Sequence, residues 1–326
     1  MTGEWRADIL GDGFEQLVLP LGEDDEGPLV ATLVRSIPNS LRVLTGPFRD
    51  LDVLSLHGWS DYFFQPDVAR RWTELGAHFY ALDLRKYGRS LREGQTPGYI
   101  TDLADYDADI GAALAAIGHR RGRRLVLVGH STGGLTLSLW AARNPGRAAA
   151  LVLNSPWLEL QLGAMGRQAL APLVQARARW EPRGQQAAVD LGFYTRAQRE
   201  VGALPAPGYR SRWRPEFGFA THPAWLAAIL EGHRTIASGI EVGCPALVLL
   251  SARSSVQLTW RDEMTSSDSV LVVDEIARAA TRLGRDVTIA RIDGALHDVF
   301  LSRPEPREAA WRAVELWLAR GALDRR

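Results

Sequence analysis

Gly129-His130-Ser131-Thr132-Gly133 sets a hydroxyl between two glycines, each two residues away. The apolar run Leu125-Val126-Leu127-Val128 precedes it, and Leu135 to Ala142 follow, so the stretch reads as strand, abrupt turn, helix. On such a turn a serine takes up a strained backbone conformation and is pushed out at the top of a sheet. The glycines leave room for strand and helix to cross closely. A helix starting at the serine points free N–H groups, and the positive end of its dipole, at any oxyanion formed there. The chemistry this suits is nucleophilic attack by Ser131 on a carbonyl.

A serine hydroxyl needs a base. Of seven histidines, His57 and His130 flank motif glycines, His78 and His119 lie in or beside core elements, and His222 and His233 fall in the middle of the chain. His297, in Gly294-Ala295-Leu296-His297-Asp298, follows the last predicted strand, where loops face the same crevice as Ser131. It is the expected base. An orienting acid should lie between the two in sequence, just after the strand ending at Leu250. That loop reads Ser251-Ala252-Arg253-Ser254-Ser255 and holds no carboxylate. Downstream stand Asp262, Glu263, Asp268, Asp274 and Glu275. Asp268-Ser269-Val270-Leu271 has the form of an acid followed by an apolar turn into a helix. Asp268 is therefore favoured, with residues between Ser255 and Asp268 as an insertion and Asp274 as the rival; a plain N-cap would read the same way. Two backbone donors for an oxyanion are expected from Thr132 and, in His57-Gly58-Trp59-Ser60, from Trp59.

The elements that must carry these residues alternate. Leu51 to Leu56, His78 to Asp83, Ala148 to Leu153, Pro245 to Leu250 and Val287 to Ile292 read as strands. Helical spacing appears over roughly 66–75 and over 102–117, and the last helix sets Trp311, Val314 and Leu318 on one face. The acidic stretch from Gly22 to Gly27 reads as a hairpin loop. Continuous apolar strands between helices predict an α/β fold, a mostly parallel sheet covered on both faces. After Trp157 and until about Gly239 the chain is rich in Arg, Ala, Pro and Trp and shows no clear strand. This predicts an α/β core over 1–156 and 240–326 and a helical cap over 157–239.

Composition narrows the function. Lys+Arg and Asp+Glu are both 38 in 326 residues, so the chain lacks the basic excess that meets nucleic-acid phosphates. One cysteine, Cys244, excludes an internal disulfide and a Cys-based zinc site, and it is expected as a small buried apolar residue. The sole lysine, Lys86, is a poorly placed candidate for Schiff-base chemistry. No apolar run approaches the ~18 residues a spanning helix needs. The first residues have neither a basic flank nor an apolar core, so no signal peptide is expected and the cytoplasm is the expected location.

In these motifs the chain resembles the α/β-hydrolase family, and within it the serine aminopeptidase, lysophospholipase and monoacylglycerol-lipase-like group. The carriers are His57 to Ser60, Ala81 to Ser90, the turn at Ser131, and Gly294 to His297, over roughly three quarters of the chain. Lys86 stands where the family usually has glycine. The resemblance implies Ser131 as nucleophile, His297 as base and Asp268 as its orienter, with Trp59 and Thr132 as oxyanion donors. It also implies ester hydrolysis without cofactor or metal, on a small-molecule ester with an apolar acyl or aromatic group. Two alternatives stay open. A peptidase taking N-terminal residues would use Glu181, Asp190, Glu200, Glu216 or Glu231 to bind an ammonium group. A catalytically silent binding protein is the reading that an empty acid loop favours.

Overall fold

The computed structural model describes residues 4–118, 122–160, 163–184 and 191–323, and of residues 163–170 the backbone alone. The buried apolar runs build one nine-stranded sheet. Its parallel part comprises β4 (Leu51–Leu56), β5 (His78–Asp83), β6 (Arg124–His130), β7 (Ala150–Asn154), β8 (Ala246–Ser251) and β9 (Val287–Ile292). At one edge β1 (Arg6–Ala7), β2 (Glu15–Asp24) and β3 (Gly27–Ser36) add antiparallel strands, giving the order β1-β2-β3-β5-β4-β6-β7-β8-β9. The first member of the parallel set, β4, thus lies inside the sheet, and β6 sits between β4 and β7.

Side chains alternate across the pleat. Leu54, Leu56, Leu127, Leu151, Leu153 and Val248 face one way and pack with Ile110 and Leu135. Those two partners lie on α3 (Tyr106–Ile117) and α4 (Thr132–Arg143), the short exposed α1 (Ser40–Thr45) taking no part in the core. Val53, Val126, Val128, Val152 and Leu247 face the other way, against Trp72 on α2 (Pro66–Glu74) and Trp311 and Val314 on α9 (Pro304–Trp317). Both faces are covered, which is why these strands carry no polar alternation. Each fully buried leucine contributes about 1.5–3 kcal/mol relative to exposure. Expected strand bounds hold to within a residue or two, with β7 starting at Ala150 rather than Ala148, whereas the helix expected from Asp102 starts at Tyr106 after a 3₁₀ turn at Leu103–Asp105.

The acidic hairpin turns at Asp25 and Glu26 between β2 and β3. It is held from behind: Lys86, 1 % exposed, sets its Nζ 2.6 Å from both Asp24 and Glu26 carboxylates. Lys86 has φ +62°, a conformation that favours glycine and explains why glycine is usual there. Between β7 and β8 run α5 (Gly163–Trp180), α6 (Phe193–Glu200) and α7 (Pro223–Ala237). Their tryptophans behave differently. Trp225 is buried and Trp213 packs on Tyr62, whereas Trp180 is 90 % exposed. Cys244 is half-buried rather than sealed in the core, and burial still pushes its thiol up to about 12.

Candidate active site

Ser131 follows the C-terminal end of β6 with φ +51° and ψ −117° and is the residue before the first turn of α4. The turn is locked by its own backbone. Ser131 N–H donates to Asn154 O (3.0 Å), and Ser131 O accepts from Gly134, Leu135 and Trp157 N–H. Both motif glycines are sterically required. A Cβ on Gly129 would stand 2.7 Å from Gly134 Cα, and one on Gly133 would stand 2.7 Å from Leu56 O and meet His57 O closer still. Gly58 allows the loop after β4 to pass over the turn, since a Cβ there would lie 3.1 Å from Ser131 Cβ.

His297, 2 % exposed, lies after β9 at the same end of the sheet. With its proton on Nδ1 it donates to Asp268 Oδ2 at 2.9 Å, leaving Nε2 as the acceptor. Its ring centroid is 4.9 Å from that of His130, the residue before Ser131. Asp268 is wholly buried. The chain leaves β8, makes an excursion through a single 3₁₀ turn at Asp262–Thr265, and returns to the strand end. There Asp268 N–H donates to Arg253 O (2.9 Å) and Ser255 N–H to Asp268 O (2.7 Å). The apparently empty loop is thus filled by a residue arriving from further along the chain. Asp268 does not cap the helix that follows, whose N-cap is Val272, but it fixes the turn before it. Its Oδ1 accepts from Val270 and Leu271 N–H, both at 2.8 Å, in the turn ahead of α8 (Val273–Ala280). One oxygen fixes the turn and the other meets the histidine. Asp274, the rival, lies on α8 and pairs with Arg291 at 2.6 Å, its side chain 66 % exposed.

Asn154, read from sequence only as a strand end, ties the two halves together. Its backbone oxygen accepts from Ser131 N–H and lies 3.1 Å from His130 Nδ1. Its side chain donates to Asp298 Oδ1 (2.6 Å) and accepts from Val299 N–H (3.1 Å). The segment carrying His297 is therefore bonded to the same residue that fixes the serine turn. No local sequence signal marks this, because an asparagine after a strand is ordinary.

Trp59 lies in the loop after β4, and Thr132 is the first residue of α4. The Trp59 ring stacks at 3.8 Å on Trp225 and meets Tyr87 and Phe219 edge-on. Beside them is a small, mainly apolar cavity lined by Gly58, Tyr87, Tyr106, Thr132, Trp225 and Ile229. On the other flank are groups that sequence reasoning missed. Burial raises the Asp61 carboxyl to about 6, against the pull of Arg214 and His130. Burial also lowers His130 from its ordinary value. Tyr194 of α6 stands edge-on over the His297 ring at 5.3 Å.

The remaining histidines are otherwise engaged. His57 Nδ1 lies 2.8 Å from Gly58 O and its Nε2 accepts from Leu84 N–H. His78 pairs with Asp52, while His222 and His233 contact the backbone oxygens of Arg183 and Trp157. His119 lies outside the described residues. Among the described residues no group of three or more His, Cys, Asp or Glu could hold a metal ion, and no helix is long and apolar enough to cross a membrane.

Comparison with known proteins agrees with this architecture. Residues 50–303 match the family model described as serine aminopeptidase, S33. A monoacylglycerol lipase of Mycolicibacterium smegmatis is 36 % identical over 107 residues, which is 32 % of this chain and 37 % of that protein. The match spans little more than a third of that relative's length. Among solved structures, the monoacylglycerol lipase of Paleococcus ferrophilus superposes with TM-score 0.62 at 21 % identity, over 84 % of this chain and 95 % of its own. A soluble variant of the monoglyceride lipase of Saccharomyces cerevisiae, in complex with a substrate analogue, gives TM-score 0.63 at 13 % identity, over 97 % and 99 %. With the family model covering most of its length, this chain belongs to the serine aminopeptidase S33 family of α/β hydrolases.

Proposed function

We propose that the protein hydrolyses carboxylic esters through an acyl-enzyme on Ser131. The observation that carries this reading is the wholly buried Asp268–His297 pair at 2.9 Å, at the same sheet end as a serine held at φ +51°. His297 Nε2 takes the Ser131 proton as Oγ attacks the ester carbonyl. Asp268 holds the tautomer and stabilises the imidazolium that forms. The N–H groups of Trp59 and Thr132 receive the oxyanion. His297 then protonates the leaving alcohol, and water, deprotonated by the same imidazole, releases the acid. No cofactor or metal enters these steps.

The segment 157–239 acts as the cap over this site. Trp59, Tyr87, Phe219 and Trp225 make an aromatic wall beside the oxyanion donors, which suits an apolar acyl group. Monoacylglycerol-type lipases among the relatives support the same substrate class. The peptidase alternative is less well supported. Glu181, Glu200, Glu216 and Glu231 each pair with an arginine, and Asp190 lies outside the described residues. The silent-protein alternative needed an empty acid loop, and Asp268 occupies that place.

The test uses p-nitrophenyl esters of graded chain length and a fluorophosphonate probe. Wild type is expected to turn over the esters and to label at one serine, and Ser131→Ala to lose both. Turnover unchanged by Ser131→Ala overturns the reading.

A further inference from the structure

The loop after β4 is gripped by the cap more than by the core. Its ends are core-bound: the His57 ring accepts from Leu84 N–H, and Phe63 N–H donates to Asp83 Oδ1 at 2.9 Å. Every residue from Trp59 to Tyr62 also meets the segment 208–225. The Trp59 ring lies on Trp225. Ser60 Oγ accepts from Phe219 N–H at 3.0 Å. Asp61 pairs with Arg214 Nε at 3.1 Å, both side chains buried, and Arg214 is itself held by Gln198 at 2.8 Å. Tyr62 Oη donates to Gly208 O at 2.7 Å and accepts from Arg210 N–H. Ser60 has φ +51°. A non-glycine residue stays in that conformation only where its surroundings over-determine it.

We infer that cap segment 208–225 is a positioning element for the Trp59 N–H, with Ser60 and Arg214 as the residues that transmit its hold. This rests on the ester-hydrolase reading and on Trp59 as an oxyanion donor. The strained Ser60 peptide sets the direction of the backbone beside Trp59. Without the Phe219 N–H and the Arg214 charge the loop relaxes toward φ < 0, and the donor swings away from the oxyanion. Loss of one such donor costs about 10²–10³-fold in kcat, and a displacement of about 1 Å can cost about 10²-fold.

The variants are Ser60→Ala, Arg214→Ala and Arg214→Lys. Each is assayed on p-nitrophenyl butyrate and decanoate and titrated with an alkyl trifluoromethyl ketone, which forms a tetrahedral adduct on an activated serine. Ser60→Ala is expected to lower kcat about tenfold and Arg214→Ala about 100-fold, equally on both esters, with KM within about threefold. Ketone affinity should fall by the same factor as kcat/KM, and Arg214→Lys should recover most of the loss. Ser60→Ala removes a single hydroxyl, so it carries the test if Arg214→Ala does not fold. A KM rise that grows with acyl length at constant kcat, or ketone affinity untouched while kcat/KM falls, makes the segment a pocket wall and overturns the inference. Wild-type turnover abolished by Ser131→Ala keeps the enzyme reading whatever these variants do, whereas a wild type inert to esters and ketone sinks both.

Discussion

Replacing Asp268 by Asn changes one atom in a fully buried contact, and the structure decides where that atom goes. Oδ1 accepts two backbone N–H groups, from Val270 and Leu271, while Oδ2 accepts one, from His297 Nδ1. An asparagine NH₂ turned toward the backbone would oppose two donors, so the amide nitrogen faces His297. Imidazole then sheds its Nδ1 proton to accept from the amide and carries it on Nε2, where it no longer takes the Ser131 proton. In a serine hydrolase this tautomer error costs about 10⁴-fold in kcat, or about 5.5 kcal/mol of transition-state stabilisation. The backbone bonds survive, so KM should stay within about threefold. Asp274→Asn is the control. Its exposed pair with Arg291 is worth about 0–1 kcal/mol of stability and touches nothing in the site. Steady-state kinetics on p-nitrophenyl butyrate measures both, with circular dichroism to confirm folding. If folded Asp268→Asn keeps kcat within about tenfold of wild type, or Asp274→Asn loses more, the acid assignment is wrong.

Other expectations follow from the same geometry. Gly133→Ala forces a Cβ into the backbone oxygens of Leu56 and His57, and urea unfolding should show a loss of about 3 kcal/mol or more; a variant of wild-type stability would mean the strand and helix can separate freely. Asn154→Ala removes the bonds to Asp298 and Val299, so kcat should fall about 10²-fold and stability by about 2–3 kcal/mol, with unchanged kcat as the contrary result. Cys244, whose thiol burial pushes up to about 12, should alkylate with iodoacetamide at pH 8 more slowly than a free thiol until urea unfolds the chain; labelling of the native protein as fast as the unfolded chain would contradict that shift. Burial pushes the Asp52 carboxyl up, but the His78 ring 3.4 Å away and a hydrogen bond from Arg123 bring it below its ordinary value. Its stabilisation is present above the unfolded value and is lost as pH falls through the folded one. Asp52→Asn should therefore destabilise at pH 7 and less at pH 3, and a pH-independent penalty would refute the cause.

Much of the sheet is legible because buried strands announce themselves. Leu51–Leu56 and His78–Asp83 are continuous runs whose bounds need no tertiary information, whereas Val287–Ile292 is an edge strand with only Ile292 buried. The turn at Ser131 is equally local, since the glycines it requires are written within five residues. Asp268 is half legible. Its apolar turn shows in sequence, but the bridge that returns it to the end of β8 depends on a pairing with Ser254 that no periodicity reveals. The segment between β7 and β8 is the least legible. Arg, Pro and Ala dominate there, and its docking runs through single bonds to distant partners, such as Arg214 to Asp61 and Phe219 to Ser60. Trp180 and Trp225 look alike in sequence, yet one is bare to solvent and the other is buried against Trp59, because helix facing is set by what each helix packs on. The left-handed Ser60 and the clamp at Asn154 follow from long-range bonds and leave no local trace.

Lys86 carries the only side-chain amine in the sequence, and the fold seals it beneath the acidic hairpin. Amine-directed dyes, crosslinkers and surface-coupling chemistries therefore find no side-chain handle on the intact molecule. The same scarcity turns Lys86 into a reporter. Arg183, beyond β7, reaches Asp25 and Glu26 on that hairpin, so any loosening of this junction would uncover the one reactive side-chain amine, and peptide mapping would tell its label from that of the α-amino terminus.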